Sequence, residues 1–169
     1  MSELPELTYP PERYHGDEGE VTAHLRPAST PGDLPADATN PMDYLATGAS
    51  TDGQFGLYRG YYPPTGKGPG PHFHKTITES FYILSGTMSL YDGTRWVDAS
   101  QGDFLYVPQG GLHGFRNSSD EPAAMLLLFT PGAPREEYFE TLVEVATGRA
   151  TMTEQERHAF MIRHDTYWK

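Results

Sequence analysis

The sequence predicts a mainly all-β protein, a small antiparallel β-barrel or double-sheet jelly roll with one or two C-terminal helices. Two observations predict it. Glycine and proline account for 18 and 15 of 169 residues, spaced too closely for long helices. Between those turns, from residue 43 to 129, lie eight or more short segments rich in apolar and aromatic residues, most of them alternating between apolar and polar side chains. That alternation has the period of half-buried strands. Many short antiparallel strands bury their apolar faces by closing on themselves, which also removes exposed sheet edges. One domain suffices for this length, with about two thirds of the unfolded surface buried in a single core.

Residues 1–41 read as an arm. Seven prolines (Pro5, Pro10, Pro11, Pro27, Pro31, Pro35 and Pro41) among acidic and small polar residues exclude an interior helix. Composition alone gives a loosely ordered segment; the alternative is a short strand over residues 20–25 that adds to a sheet edge, that of a second subunit included. His15 and His24, with no partner at a useful spacing, read as surface histidines.

The barrel is expected over residues 42–131. Residues 44–46 form a short strand, 48–53 a turn, and 54–62 a longer strand stopped by Pro63 and Pro64. Phe55, Leu57, Arg59 and Tyr61 share one face of that strand. The apolar pair directs the face inward and takes Arg59 and Tyr61 with it. An inward arginine needs a partner, either a carboxylate or a bound anion. Residues 65–71 (TGKGPGP) lack the GxxxxGK[ST] pattern of a phosphate loop and form a turn. His72 and His74 then alternate about Phe73, which sends both imidazoles to the same face, ~7 Å apart at the backbone. Residues 79–85 resume as a strand with Glu79, Phe81 and Ile83 inward. A hairpin over 86–97 turns at Asp92 and Gly93. Residues 104–107 run to Pro108, and the Gln109-Gly110-Gly111 turn opens a strand with His113, Phe115 and Asn117 on one face. Residues 123–129 are apolar throughout, which suits a strand buried on both sides.

Residues 132–169 read as a helical segment packed on the outside of the barrel. Tyr138, Phe139, Leu142, Val143 and Ala146 recur at the helical period, with Gly148 as the stop. Thr153 and Glu156 make a capping box for a second helix ending near Arg163. Phe160, Tyr167 and Trp168 read as packing or interface residues. His158 and His164 fall on different helix faces and are not read as ligands.

The chemistry concentrates in residues 66–117. His72, His74 and Glu79 come from one strand region, and His113 joins them from beyond a hairpin. A carboxylate among hydrophobes is costly to bury unless it is paired or ligated. Three imidazoles and one carboxylate make a metal-ligand set, and the absence of cysteine confines any metal to nitrogen and oxygen donors. The cofactor expected is one divalent transition metal per chain; Fe, Mn, Ni, Co, Cu and Zn all accept this donor set. On an octahedral ion the four ligands leave two positions for substrate or dioxygen. Glu79 is expected to serve both as ligand and as proton acceptor. Tyr61, Phe81, Phe104 and Phe115 are the expected lining of the substrate pocket, with Arg59 beside it.

A net charge of −11 opposes binding to phosphate backbones and anionic membrane surfaces, so nucleic acid and membrane are not expected partners. A small anionic substrate is compatible, since a divalent ion with one carboxylate keeps a local charge of about +1. The amino-terminal stretch has neither a basic start nor an apolar core, and no apolar run approaches membrane-spanning length. A cytoplasmic protein is expected.

The spacing of these residues resembles the two sequence motifs of the cupin superfamily at every signature position. The first motif is carried by Gly66, His72, His74, Glu79 and Gly86, and the second by Gly102, Pro108, Gly110, His113 and Asn117. The resemblance implies a small double-stranded β-helix with the metal near its centre, bound by His72, His74, Glu79 and His113. A second His-x-His motif is absent, which resembles a single-domain cupin. The His-x-His-x4-Glu spacing with the C-terminal helix is similar to single-domain quercetinase-like dioxygenases. That branch implies oxygenation of a small enolate, enediol or flavonol-type aromatic substrate, and commonly a homodimer. The alternatives are a non-catalytic metal-dependent binding or sensor domain, and a metal-dependent isomerase or cyclase of secondary metabolism.

Overall fold

The computed structural model describes residues 8–34 and 40–169. Pro5 and Pro35 of the arm lie outside them. Residues 20–25 carry no strand and their side chains are exposed, so the expected edge strand is absent there. Leu34 bridges to Met42 and packs into the core, which fixes this part of the arm to the barrel.

The strands are β1 (Met42–Ala46), β2 (Gly56–Tyr62), β3 (His72–Phe73), β4 (Thr78–Ser85), β5 (Thr87–Tyr91), β6 (Trp96–Ser100), β7 (Phe104–Val107), β8 (Gly114–Arg116) and β9 (Ala123–Thr130). Two helices follow, α1 (Glu136–Ala146) and α2 (Glu154–Arg163), and then a last strand, β10 (Tyr167–Trp168). A five-stranded sheet in the order β1-β2-β9-β4-β7 faces a three-stranded sheet β6-β5-β8, with the pair β10-β3 beside them. All pairings are antiparallel, as the sequence predicts. The continuously apolar β9 lies between β2 and β4, where a strand covered on both sides belongs. Met125, Leu127 and Phe129 from β9 pack with Phe81 and Ile83 from β4 in the core.

The face of β2 is opposite to the expected one. Tyr58 and Tyr62 are buried, while Arg59 is half-buried and Tyr61 is 38% exposed. Two tyrosines offer more apolar area than Phe55 and Leu57, and Gly56 and Gly60 leave room for their rings to lie along the strand. The Tyr58 hydroxyl reaches Glu136 of α1, so burial leaves it with a partner. Arg59 therefore points away from the interior and donates from Nε and Nη2 to Asp43 Oδ2, at 2.9 and 2.6 Å. The Tyr61 hydroxyl donates to the same oxygen at 2.9 Å. Phe104 is likewise on the outside: β7 turns Leu105 and Val107 inward and leaves Phe104 63% exposed.

The hairpin between β5 and β6 turns over four residues. Asp92 Oδ1 accepts from the backbone N–H of Thr94 and Arg95, at 2.9 Å each, and Gly93 takes the left-handed conformation with φ 96°. The capping box of α2 is present, with Thr153 and Glu156 bonding reciprocally. The helices do more than pack on the outside of the barrel. Side chains from both line a cavity that reaches into it.

Candidate metal centre

Three strands, β3, β4 and β8, bring the predicted ligands together. His72 opens β3, His74 follows it directly, Glu79 is the second residue of β4, and His113 immediately precedes β8. The backbones of His72 and His113 exchange two hydrogen bonds of 2.9 Å, which sets these two imidazoles side by side at 4.2 Å between ring centroids. His74 lies 5.1 Å from His72 and 5.2 Å from His113 by the same measure. One ligand atom from each of His72, His74, Glu79 and His113 lies within 4.8 Å of every other, and all four residues are buried.

The remaining motif residues hold this arrangement in place. Gly110, with φ 80°, donates its N–H to the His74 carbonyl at 2.7 Å, so the turn of the second motif supports a ligand of the first. Asn117 donates to the carbonyls of Tyr62, Pro63 and Glu121 and accepts from Ser119, which makes it a loop clamp. Gly68 passes so close to the Phe115 carbonyl that no Cβ fits there. That contact keeps the 65–71 turn against the strand of His113.

Protonation follows from the backbone. Each Nδ1 faces a carbonyl oxygen: His72 that of Gly70 at 2.9 Å, His74 that of Asp165 at 2.6 Å, and His113 that of Gly111 at 2.9 Å. Carbonyls only accept, so each Nδ1 carries a proton, and Nε2 is the ring atom that faces the centre. Glu79 Oε2, also an acceptor, sits 3.0 Å from His74 Nε2 and 2.8 Å from His113 Nε2. Acceptors held that close in a buried site need a positive centre between them, either a proton or a metal ion. The donor set fits a divalent transition ion.

The electrostatics agree. Burial, with the His113 charge beside it, pulls the His72 imidazole down to about 4, so the ring is neutral at ordinary pH. Burial pushes Glu79 up, but the two imidazole contacts outweigh it and hold the carboxyl well below its usual range. Burial also pulls His113 down, and its contact with Glu79 reverses that into a net rise. The carboxylate form, which binds cations, is the form the site selects.

A cavity of about 1030 Å³ reaches the ligands, with His72, Glu79, Tyr62, Phe115, Arg135 and Trp168 in its wall. Of the expected pocket residues, Phe115 lines it. Phe81 packs behind His113 at 5.9 Å between rings. Arg59, Tyr61 and Phe104 are not brought to the cluster, because the faces that carry them are turned outward. Three residues outside the expected set take their place. Trp168 packs against His72 with rings tilted at 47° and 5.3 Å apart, the Asp165 carbonyl holds His74, and Arg135 sits buried in the cavity wall. Trp168 lies on β10 and Asp165 in the turn just before it, and the antiparallel pairing of β10 with β3 joins segments almost a hundred residues apart. Two residues of strand leave no periodic signal.

Residues 59–129 match the cupin domain family. The chain is 34% identical over 98 residues to quercetin 2,3-dioxygenase of Bacillus subtilis strain 168, an alignment of 58% of this chain and 28% of that protein. It is 35% identical over 82 residues to germin-like protein 5-1 of Oryza sativa subsp. japonica, covering 43% of this chain and 35% of that one. The matched region thus spans about a third of these two curated relatives. Among solved structures, an RmlC-like cupin from Shewanella frigidimarina superimposes with a TM-score of 0.56 at 15% identity, over 69% of this chain and 96% of that chain. The polyketide cyclase RemF from Streptomyces resistomycificus gives 0.53 at 21% identity, over 66% and 81%. At these identities the two structures speak for the fold alone. Barrel, ligand set and matched motifs agree, and residues 59–129 carry a cupin domain.

Proposed function

We propose that this protein is a metal-dependent dioxygenase of a small aromatic substrate with an enol, enediol or flavonol-type oxygen. The observation that carries the proposal is the cavity: about 1030 Å³, walled by aromatic and aliphatic side chains, and ending on His72 and Glu79. That suits a flat aromatic molecule better than a small polar one. Similarity to the Bacillus quercetin 2,3-dioxygenase supports the same reading. His72, His74 and His113 through Nε2, and Glu79 through its carboxylate, would hold the ion. Bound there, a divalent transition ion would supply Lewis-acid polarisation of an enol oxygen.

The chain supplies the rest. Glu79 Oε2 is the oxygen that both imidazoles face, which leaves Oε1 to accept the enol proton. Phe115 and Tyr62, whose rings meet edge-to-face at 5.6 Å, present an apolar wall for the substrate ring. Trp168 covers His72 and excludes water from that side. A homodimer and a cytoplasmic location belong to the same proposal; no helix among the described residues is long and apolar enough to cross a membrane.

The test is oxygen consumption by metal-loaded protein offered flavonols and enediols. Substrate-dependent uptake that disappears in Glu79→Gln supports the dioxygenase. Equal turnover under strict anaerobiosis would mark an isomerase or cyclase. Tight binding without turnover would mark a binding or sensor domain.

A further inference from the structure

The cavity wall contains a buried cation that no carboxylate of the described residues answers. Arg135 is 4% exposed and occupies the N-cap position of α1. Its Nη1 donates to the His164 carbonyl at 2.7 Å, while its Nε has no partner. The guanidinium otherwise meets aromatic rings, with Cζ 4.0 Å from the Tyr138 centroid and 5.1 Å from that of Phe129. Among the described residues no ion pair includes it; the arginine pairs join Arg13 to Asp52, Arg26 to Asp33, Arg59 to Asp43, Arg95 to Asp92, Arg149 to Glu144 and Arg163 to Glu137.

A packing role explains part of this and leaves the charge unexplained. Holding the His164 carbonyl needs one donor and no positive charge. An uncompensated buried charge is expensive unless something pairs with it. The buried carboxylate in the same wall, Glu79, is engaged by His74 and His113. Lys67 and Arg157 add further cations at the exposed rim. This positive lining stands against a net charge of −11 for the whole chain, so it is a local property of the cavity.

We propose that Arg135 anchors an anionic oxygen of the substrate, which makes the preferred ligand an aromatic molecule bearing a carboxylate or ionised enol. Nε and the planar guanidinium suit such an oxygen, and Tyr138, Phe139 and Phe115 give its ring an apolar bed. Arg135 and the pair His72 and Glu79 wall one cavity, so a molecule held by the arginine presents its remainder to the ligand cluster. The inference rests on the cavity being the substrate site and is independent of whether turnover consumes oxygen.

The test measures binding without turnover. Affinities of 3-hydroxy-2-naphthoate and its methyl ester are determined by anaerobic calorimetry on metal-loaded wild type, Arg135→Gln and Arg135→Lys, with circular dichroism reporting the fold. The preference of the wild type for the acid over the ester falls about tenfold or more in Arg135→Gln, and Arg135→Lys retains most of it. An unchanged preference in Arg135→Gln overturns the proposal, as does equal loss in both variants. The same ligand pair is also measured on chelator-treated wild type, where no metal can select the acid. There the acid still binds several-fold more tightly, and an ester bound equally well refutes the anchor even if Arg135→Gln fails to fold. Oxygen uptake by the wild type bears only on the dioxygenase reading, so the two ideas fail separately.

Discussion

His74 Nδ1 donates to the backbone carbonyl of Asp165 across 2.6 Å, tying a ligand at the centre of the barrel to a residue 91 positions later. The tie is reinforced from both sides. The Asp165 carboxylate accepts from the backbone N–H of Lys75 and Thr76 and from the Thr76 hydroxyl. Tyr167 stacks on Phe73 at 5.3 Å and lies under the Lys75 ammonium at 4.1 Å. The chain end is thus a strap over the first two ligands.

Removing residues 165–169 should leave the barrel folded and weaken metal binding. His74 loses the partner that fixes its tautomer and ring orientation, a contact of the kind worth about 10–100-fold in metal affinity. Competition with a chelator measures it. Unchanged affinity would show that the strap does not orient the ligand.

Asp165 also makes the strap sensitive to acid. Partial burial pushes its carboxyl up, but the hydrogen bonds from Thr76 and Lys75 outweigh that and hold it below its ordinary 3.8. A depressed folded pKa contributes stability that is fully present above 3.8 and lost as pH falls through the lower folded value. Asp165→Asn should therefore melt at a lower temperature than wild type near neutrality, and the two should converge as the pH drops below the ordinary value. Thermal melts across that range test this; a constant difference down to the lowest pH would contradict it.

Arg59 and Asp43 form a pair on the outer side of β2, remote in function from the cavity. Arg59→Ala should reduce stability by about 1 kcal/mol, as for other partly exposed pairs, and leave metal and ligand affinity unchanged. A denaturant titration and a metal titration on one preparation check both. Weakened ligand binding in a stable variant would return Arg59 to the site.

Much of this was legible in the sequence because the features are local or periodic. Strand alternation places Glu79, Phe81 and Ile83 inward, and the fixed motif spacing picks out the four residues, His72, His74, Glu79 and His113, that the fold gathers into one buried cluster. The face of β2 was misread because Tyr58 and Tyr62 are amphipathic: their burial depends on long-range partners, Glu136 among them, that no local pattern shows. Arg135 escaped notice because it follows a proline-broken stretch and precedes the first helical apolar residue. Its significance comes from the lack of a carboxylate partner among the described residues, which only the assembled fold reveals. Trp168 acts from a two-residue strand and Asp165 from the turn before it, both too short to carry a period.

The four-ligand metal centre is most directly tested by metal content. Wild-type protein, purified and incubated with a divalent transition metal and then desalted, should carry about one ion per chain. His113→Ala, folded by circular dichroism, should carry close to none. Folded wild type that retains no stoichiometric ion, or His113→Ala that retains it as well as wild type, would contradict the assignment of these residues as a metal centre.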